Sequence, residues 1–391
     1  MSPTNEATPT IEQLADEMCA AGCSRVHVLA WRDLDDVDAG GSEVHADNFM
    51  RRWAAAGLDI TQRTSHAVGL PDIAQRNGYR VVRRGSRYSV FPRAVASAVW
   101  SRRDYDALVE IWNGVPWFSP LWCRKPRVTF LHHVHGPMWD QILPRPFASV
   151  GRFVEARFAP PFYRRSLTLT PSEATRGELL QLGFRPKNVV AIDNGIDEMF
   201  RPGGELAALP TITSVGRLAP VKRQDELIEA AVVAKQRIPE LQLVIVGDGP
   251  LRPELERRID QHRAHHWITL TGRLTHEELL SLYRRAWLVT SASLAEGWGL
   301  TLTEAAACGT PAVATDINGH RSSVVDGVTG VLAPLERLGD TIADVLLDPP
   351  RRATLSKAAL ARARTLTWES SARGVLAGLH SQVVAKSRHS Y

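Results

Sequence analysis

The chain has 391 residues, 44% of them hydrophobic and 23% charged, with a formal net charge of +5. A single core rarely grows to that size, so two domains of roughly 200 residues each are expected, and the composition excludes both a disordered chain and a bundle of membrane spans. The opening MSPTNEATPTIEQLADEM has no basic segment followed by an apolar one, which predicts a cytoplasmic product, and Cys19, Cys23, Cys123 and Cys308 lack metal-ligand spacing and read as reduced thiols.

Along the first half, VHVLA (26–30) reads as a buried strand, followed by a loop ending in Gly40-Gly41 and an amphipathic helix starting near Ser42. A glycine pair ahead of a helix can cradle phosphate or sugar atoms on free N–H groups; the plainer alternative is a loop with Ser42 as cap. The strict G-x-G-x-x-G spacing of a dehydrogenase is missing. Asp33, Asp35, Asp36 and Asp38 form two Asp-x-Asp pairs that mimic a metal site, but alternate acids in a loop are commonly solvated, and no metal is expected. DALVEIW (106–112), RVTFLHH (127–133) and LTLT (167–170) extend the sheet, whereas the arginine-rich 71–104 segment is left unassigned.

His132, His133 and His135 stand at the end of one of these strands, where alternation of side chains lets only one of His132 and His133 face a site unless the strand has ended. Residues 71–170 carry 16 Lys or Arg against 6 Asp or Glu. A solvated face explains that excess; so does contact with an anionic membrane surface, which Trp117, Phe147, Phe153 and Phe158 among the arginines suggest. No helix-turn-helix, zinc-finger or RNA-binding signature accompanies the charge, so nucleic acid is not an expected partner.

In the second half, apolar runs of strand length alternate with helical patterns, the habit of parallel βαβ units. Strands are predicted at 211–216, 241–247, 267–272, 287–293 and 311–316, with helices near 224–237, 251–262 and 276–286 and another opened by the Gly297-Trp298-Gly299 turn. The region from about 205 to 350 therefore reads as a doubly wound sheet with its ligand loops at the carboxyl ends of the strands. Pro202-Gly203-Gly204 is the expected linker between domains 1–200 and 201–366, and a last helix fills 367–391.

Arg217 follows the first of these strands and Lys222-Arg223 come five residues later, cations suited to a departing diphosphate without a metal. GDGP (247–250) and GRL (272–274) each follow a strand and suit tight turns or the close approach of a nucleotide base. AEGWGLTLTEAAACGTP (295–311) sets Glu296 in a loop and Glu304 about one turn inside the following helix, so that one carboxylate can hold a sugar ring and the other a ribose.

In order, GGSE (40–43), His132, NGI (194–196), VGRL (215–218) with Lys222, GDGP, GRL and the Glu296/Glu304 segment resemble glycosyltransferase family 4 over most of the chain. The resemblance implies the α/β GT-B architecture, two Rossmann-like domains facing across a cleft, and metal-free transfer of a sugar with retention of configuration. By position, Glu296 resembles the glutamate that contacts donor-sugar hydroxyls, Glu304 the one that holds the ribose, and Arg217 with Lys222 the diphosphate clamp. His132 resembles the amino-domain histidine near the reacting sugar, since Trp139 repeats the seven-residue spacing of relatives. Further donor contacts are implied for Gly41, Gly216, Gly247, Arg273, Leu274, Gly297, Trp298, Gly299 and Leu300. The last helix, after Trp368, is implied to cross back onto the amino-terminal domain. Ser322 stands where many relatives have glutamate.

The implied reaction moves a sugar from a UDP- or GDP-sugar to a hydroxyl of a glycolipid, glycan or small-molecule glycoside, with no cofactor, in the cytoplasm or at the inner face of the membrane. The alternatives are a nucleotide-sugar epimerase or phosphorylase of the same architecture and a non-catalytic nucleotide-sugar-binding protein.

Overall fold

The computed structural model describes residues 8–388. The chain divides into two compact units, one made of the residues up to Gly195 with those from Trp368 on, the other of Ile196–Thr367. The amino-terminal unit has eight strands: β1 (Arg25–Leu29), β2 (Asp59–Thr64), β3 (Ile73–Arg76), β4 (Tyr79–Arg83), β5 (Ala107–Trp112), β6 (Arg127–Leu131), β7 (Thr168–Thr170) and β8 (Val189–Ala191), in the order β3-β4-β2-β1-β5-β6-β7-β8. Pairing is parallel except between β3 and β4, where Arg76 lies opposite Tyr79. The two residues between them, Asn77 (φ 44°) and Gly78 (φ 88°), take the positive φ angles of a tight hairpin turn, the geometry that an Asn-Gly pair favours. The arginine-rich segment is thus a hairpin followed by a helix, Val90–Trp100.

The core of this unit fills with Val26 and Val28 of β1, Val109 and Ile111 of β5, and Phe49 and Trp53 from the helix Gly41–Ala55. The terminal helix Trp368–Ser387 joins it through Val375, Leu376, Leu379 and Val383, each such side chain contributing about 1.5–3 kcal/mol on full burial. Trp53 donates its indole N–H to the Ala372 carbonyl at 3.0 Å. Gly374 and Gly378 let the helix lie close, since a Cβ at either would stand 2.9 Å from Ile192 Cγ2 or 3.1 Å from Leu169 Cδ1.

The carboxy-terminal unit has six parallel strands: β9 (Thr211–Val215), β10 (Gln242–Val246), β11 (Ile268–Gly272), β12 (Leu288–Ser291), β13 (Ala312–Thr315) and β14 (Gly330–Ala333), in the order β11-β10-β9-β12-β13-β14. This is the doubly wound order, with its switch between β9 and β12. Helices Gln224–Arg237, Arg252–Gln261 and His276–Arg285 lie where their apolar periodicity predicts. The expected linker needs correction. The units change at Gly195/Ile196, and residues 202–204 belong to the second unit, where Arg284 Nε donates to the Arg201 carbonyl at 2.8 Å. Proline and glycine end regular structure there without ending packing.

Candidate active site

The loops after β9 and β12 diverge at the switch between them, and both carry charge. Lys222 closes the short 3₁₀ turn Pro220–Lys222 after β9, and Glu296 lies in the loop between β12 and the helix Leu300–Ala307. Lys222 Nζ donates to Glu296 Oε1 in an ion pair, and Ser293 Oγ donates to the same oxygen at 2.9 Å. Burial alone would raise the Glu296 pKa, but the Lys222 ammonium, His320 and the two donated hydrogen bonds bring it below the usual carboxylate value. Glu296 is therefore an anion at neutral pH, fit to accept from hydroxyl groups and unfit as an acid.

His320, on the short helix Asn318–Ser323 after β13, is fully buried. Its ring Nδ1 contacts the Thr315 carbonyl at 2.8 Å, and burial, opposed by the Glu296 charge, lowers its pKa. A neutral ring that donates from Nδ1 presents a lone pair at Nε2, which has no partner among the described residues. Next to it, Gly319 lies so close to the Glu296 loop that a Cβ would stand 2.3 Å from the Glu296 carbonyl oxygen.

Glycines set the same edge of the sheet. Gly247 (φ 133°) would push a Cβ to 1.9 Å from the Gly216 carbonyl, and Gly249 would meet the Leu218 carbonyl at 2.4 Å. Their close approach is to the neighbouring loop, which is drawn in by Gly216 N–H to Val246 O (3.0 Å), Leu218 N–H to Asp248 O (3.0 Å) and Gly247 N–H to Gly272 O (2.8 Å). Gly216 lies beside the Lys222 stem, 3.7 Å from Cε to its would-be Cβ. Gly299 (φ 96°) begins the helix Leu300–Ala307 and has no side chain to cap the first N–H groups.

Glu304 lies one turn into that helix and accepts from the Tyr283 hydroxyl at 3.1 Å. Burial pushes its pKa up to about 7, with Asp197 adding to the rise and the Tyr283 hydrogen bond opposing it. Arg217 and Arg273 are exposed on the loops after β9 and β11; Gln224 Nε2 donates to the Arg217 carbonyl at 3.0 Å. Gly297, Leu274 and Leu300 are half-buried nearby in sequence. The Trp298 ring belongs to an apolar cluster with Phe200, Tyr283 and Leu302. Ser322 Oγ donates to the Asn318 carbonyl of its own helix at 3.0 Å.

In the amino-terminal unit, the helix Gly41–Ala55 opens at the exposed Gly40-Gly41 pair. Ser42 is not its cap: Glu43 reaches back to accept the Gly40 N–H at 2.7 Å, while Ser42 Oγ accepts from Asn113 Nδ2 at 3.2 Å, tying the glycine loop to the end of β5. His132 directly follows β6 and is buried, its Nε2 3.3 Å from Nδ1 of His45 on the same glycine-led helix. Burial lowers both rings, His45 to about 3 and His132 well below its ordinary value, so one neutral imidazole donates to the other. His45 is foreseeable, four residues after Gly41 and thus on the same helix face.

His135 and Trp139 stack at 4.9 Å and are arranged by Glu155, which accepts from the His135 N–H (2.8 Å), the Gly136 N–H (2.9 Å) and Trp139 Nε1 (3.1 Å). Glu155 sits in a basic, aromatic stretch with no pattern that singles it out. The acids of the 33–38 loop are held by arginines: Arg83 grips Asp33 at 2.7 and 2.9 Å with both residues 1% exposed, and it also reaches Asp35. Arg76 pairs with Asp35, and Arg87 with Asp38 and Asp36. Part of the positive excess after residue 71 is thus spent inside the unit. Trp117, expected at a membrane-facing surface, is 2% exposed and donates to the Ile111 carbonyl at 2.9 Å, because its indole closes the core beside Phe91. Among the described residues, no helix is long and apolar enough to cross a membrane.

Doubly wound sheets with cations and carboxylates at the switch define a nucleotide-handling class, and comparison with known proteins narrows it. A model of "Glycosyl transferases group 1" matches residues 196–362, and one of "Glycosyltransferase Family 4" matches residues 39–199. A D-inositol 3-phosphate glycosyltransferase of Kribbella flavida is 31% identical, with 87% of this chain and 90% of that protein covered. Its counterpart in Mycobacterium bovis is 33% identical over 50% of this chain and 44% of that protein. Among solved structures, sucrose-phosphate synthase of Thermosynechococcus elongatus superposes with a TM-score of 0.77 at 21% identity, covering 93% of this chain and all of that one. Anabaena HepE, solved with UDP-glucose, gives 0.67 at 19% identity, covering 94% of this chain and all of that one. The chain belongs to glycosyltransferase family 4, is a glycosyltransferase, and has the GT-B fold.

Proposed function

We propose that the chain moves a sugar from a nucleoside diphosphate-sugar, a UDP- or GDP-sugar, to an acceptor hydroxyl with retention of configuration and without a bound metal. The observation that carries this reading is the Lys222–Glu296 pair at the β9/β12 switch. An ammonium has three N–H donors, so Lys222 can keep Glu296 and still reach a phosphate oxygen; Glu296, held ionised, accepts from sugar hydroxyls. Arg217 adds charge from the same loop, and the open start of the helix Leu300–Ala307 adds N–H groups. Glu304 takes the ribose. As the bond from the anomeric carbon to phosphate breaks, the acceptor oxygen bonds on the same face and its proton passes to the leaving phosphate. His132, neutral, contributes a hydrogen bond and no charge. The inositol phosphate relatives make a phosphorylated polyol the first acceptor to try, and UDP-glucose in HepE supports a UDP-sugar.

The test incubates the protein with UDP- and GDP-sugars, with and without polyol phosphates, in the presence of EDTA. Transfer with the donor's anomeric configuration kept is expected, Lys222→Ala lowering turnover by roughly 10²–10³-fold and Glu304→Gln chiefly weakening nucleotide binding. A sugar altered without acceptor makes the protein an epimerase, a need for free phosphate makes it a phosphorylase, and loss of rate in EDTA removes the metal-free mechanism.

A further inference from the structure

The helix Arg145–Phe153 runs directly into a π-turn, Val154–Phe158, and the two sides of this segment differ sharply. Inward, Ala148 and Glu155 are buried, and Gly151 lies against the Trp139 ring, where a Cβ would come within 2.7 Å of Cδ2. Outward, Phe147 is 65% exposed, Val150 60%, Phe153 59% and Phe158 47%. Three-residue spacing keeps the first three on neighbouring positions of one helix side, and the wider π-turn sends Glu155 inward while Phe158 stays out, its ring 6.5 Å from that of Phe153. An apolar stripe of this kind on a water-soluble surface calls for a partner.

The charge beside the stripe says which partner. Between residues 144 and 166 the chain has Arg145, Arg152, Arg157, Arg164 and Arg165 against one acid, Glu155. That acid is the buried one, and Arg152 pairs with Asp140, so the exposed Arg145, Arg157, Arg164 and Arg165 flank the phenylalanines with no carboxylate of their own segment on the outside. Exposed aromatic and aliphatic side chains bordered by arginines match a bilayer with anionic headgroups: the rings enter the acyl boundary and the guanidinium groups meet phosphates.

We propose that the segment 145–158 is a docking surface for an anionic lipid bilayer. The inner side of the same segment holds the loop after His132 through Glu155, so a surface that engages the outside of the helix also bears on the histidine loop. The inference does not depend on the transfer reaction, because vesicle binding is read without donor or acceptor.

The experiment floats the full-length protein through a density gradient with vesicles of phosphatidylcholine and phosphatidylglycerol in equal parts, or of phosphatidylcholine alone. Recovery with the mixed vesicles is expected to exceed that with neutral ones by about tenfold, and Arg145→Ser and Arg157→Ser should each lower it about fivefold. Phe147→Ser combined with Phe153→Ser should return recovery to the neutral level, with the melting temperature of the wild type kept because both rings are exposed. Equal recovery on the two kinds of vesicle, or full recovery of the double phenylalanine variant, overturns the proposal. So does a wild-type dimer in sedimentation that the double variant dissociates, which would give the stripe to a second copy of the chain.

Discussion

At the sheet edge of the carboxy-terminal unit, backbone comes first: glycines at 216, 247, 249, 299 and 319 bring loops within van der Waals reach of one another, and Lys222, Glu296 and the start of a helix are set on that frame. The corresponding edge of the amino-terminal unit is built the other way, from buried polar side chains. There Asp33 is clamped by Arg83, Glu110 accepts from the Tyr163 hydroxyl and the Trp117 N–H, and Glu155 holds the His135–Trp139 loop. The two edges keep their shape by different means, one by the close backbone approach that glycine permits and the other by buried charge-assisted hydrogen bonds.

Substitutions that exchange the two strategies test the comparison. Gly247→Ala should be the most damaging, about 5 kcal/mol or more, because the Cβ would overlap the Gly216 carbonyl at 1.9 Å; Gly41→Ala, at an exposed helix start, should be nearly neutral. Denaturant unfolding followed in the two variants decides it, and equal midpoints would mean that the glycine frame is not what sets the carboxy-terminal edge. Next, Arg83→Met should cost about 3–5 kcal/mol by leaving Asp33 charged and buried, and Asp33→Asn in that background should recover part of the loss. An Arg83→Met protein as stable as the wild type would reduce the clamp to decoration.

A smaller effect concerns pH. Glu304 titrates near 7 in the fold against an ordinary 4.5, so the folded state binds the extra proton. The stabilisation is complete below about 4.5 and is lost as pH rises through about 7, on the order of 3 kcal/mol in all. Thermal melts from pH 5 to 8 should therefore fall more steeply for the wild type than for Glu304→Gln, which carries no titrating proton. Parallel curves would show that the carboxyl is not held protonated by its surroundings.

Much of the fold is legible in the residue order. The alternation of apolar runs and helical periods places β9 to β13 and their helices within a residue or two, because each is a local pattern that burial rewards. The hairpin at 73–83 lies in the segment left unassigned: Asn77-Gly78 is its local signal, but the surrounding arginines disguise the strands. The site was partly legible: Glu296, Lys222 and His132 stand at strand ends, where doubly wound sheets gather ligands. His45 was legible only as a neighbour of Gly41 on one helix face, and Ser293, His320 and Glu155 were not legible, since Glu155 matters through three hydrogen bonds to the loop at 135–139, His320 through burial beside Glu296, and Ser293 through a hydroxyl that no local pattern singles out.

The order of amino acids by itself determined the parallel sheets, the glycine turns and the positions of the charged groups relative to each strand end, because those depend on periodicity and on backbone freedom within a few residues. Only the tertiary structure decided which charges meet. Lys222 finds Glu296 across 74 positions and Arg83 finds Asp33 across 50; against its burial, the Lys222 ammonium, His320 and two donated hydrogen bonds keep Glu296 an anion, whereas burial without a cationic partner makes Glu304 a carboxyl that titrates near neutrality.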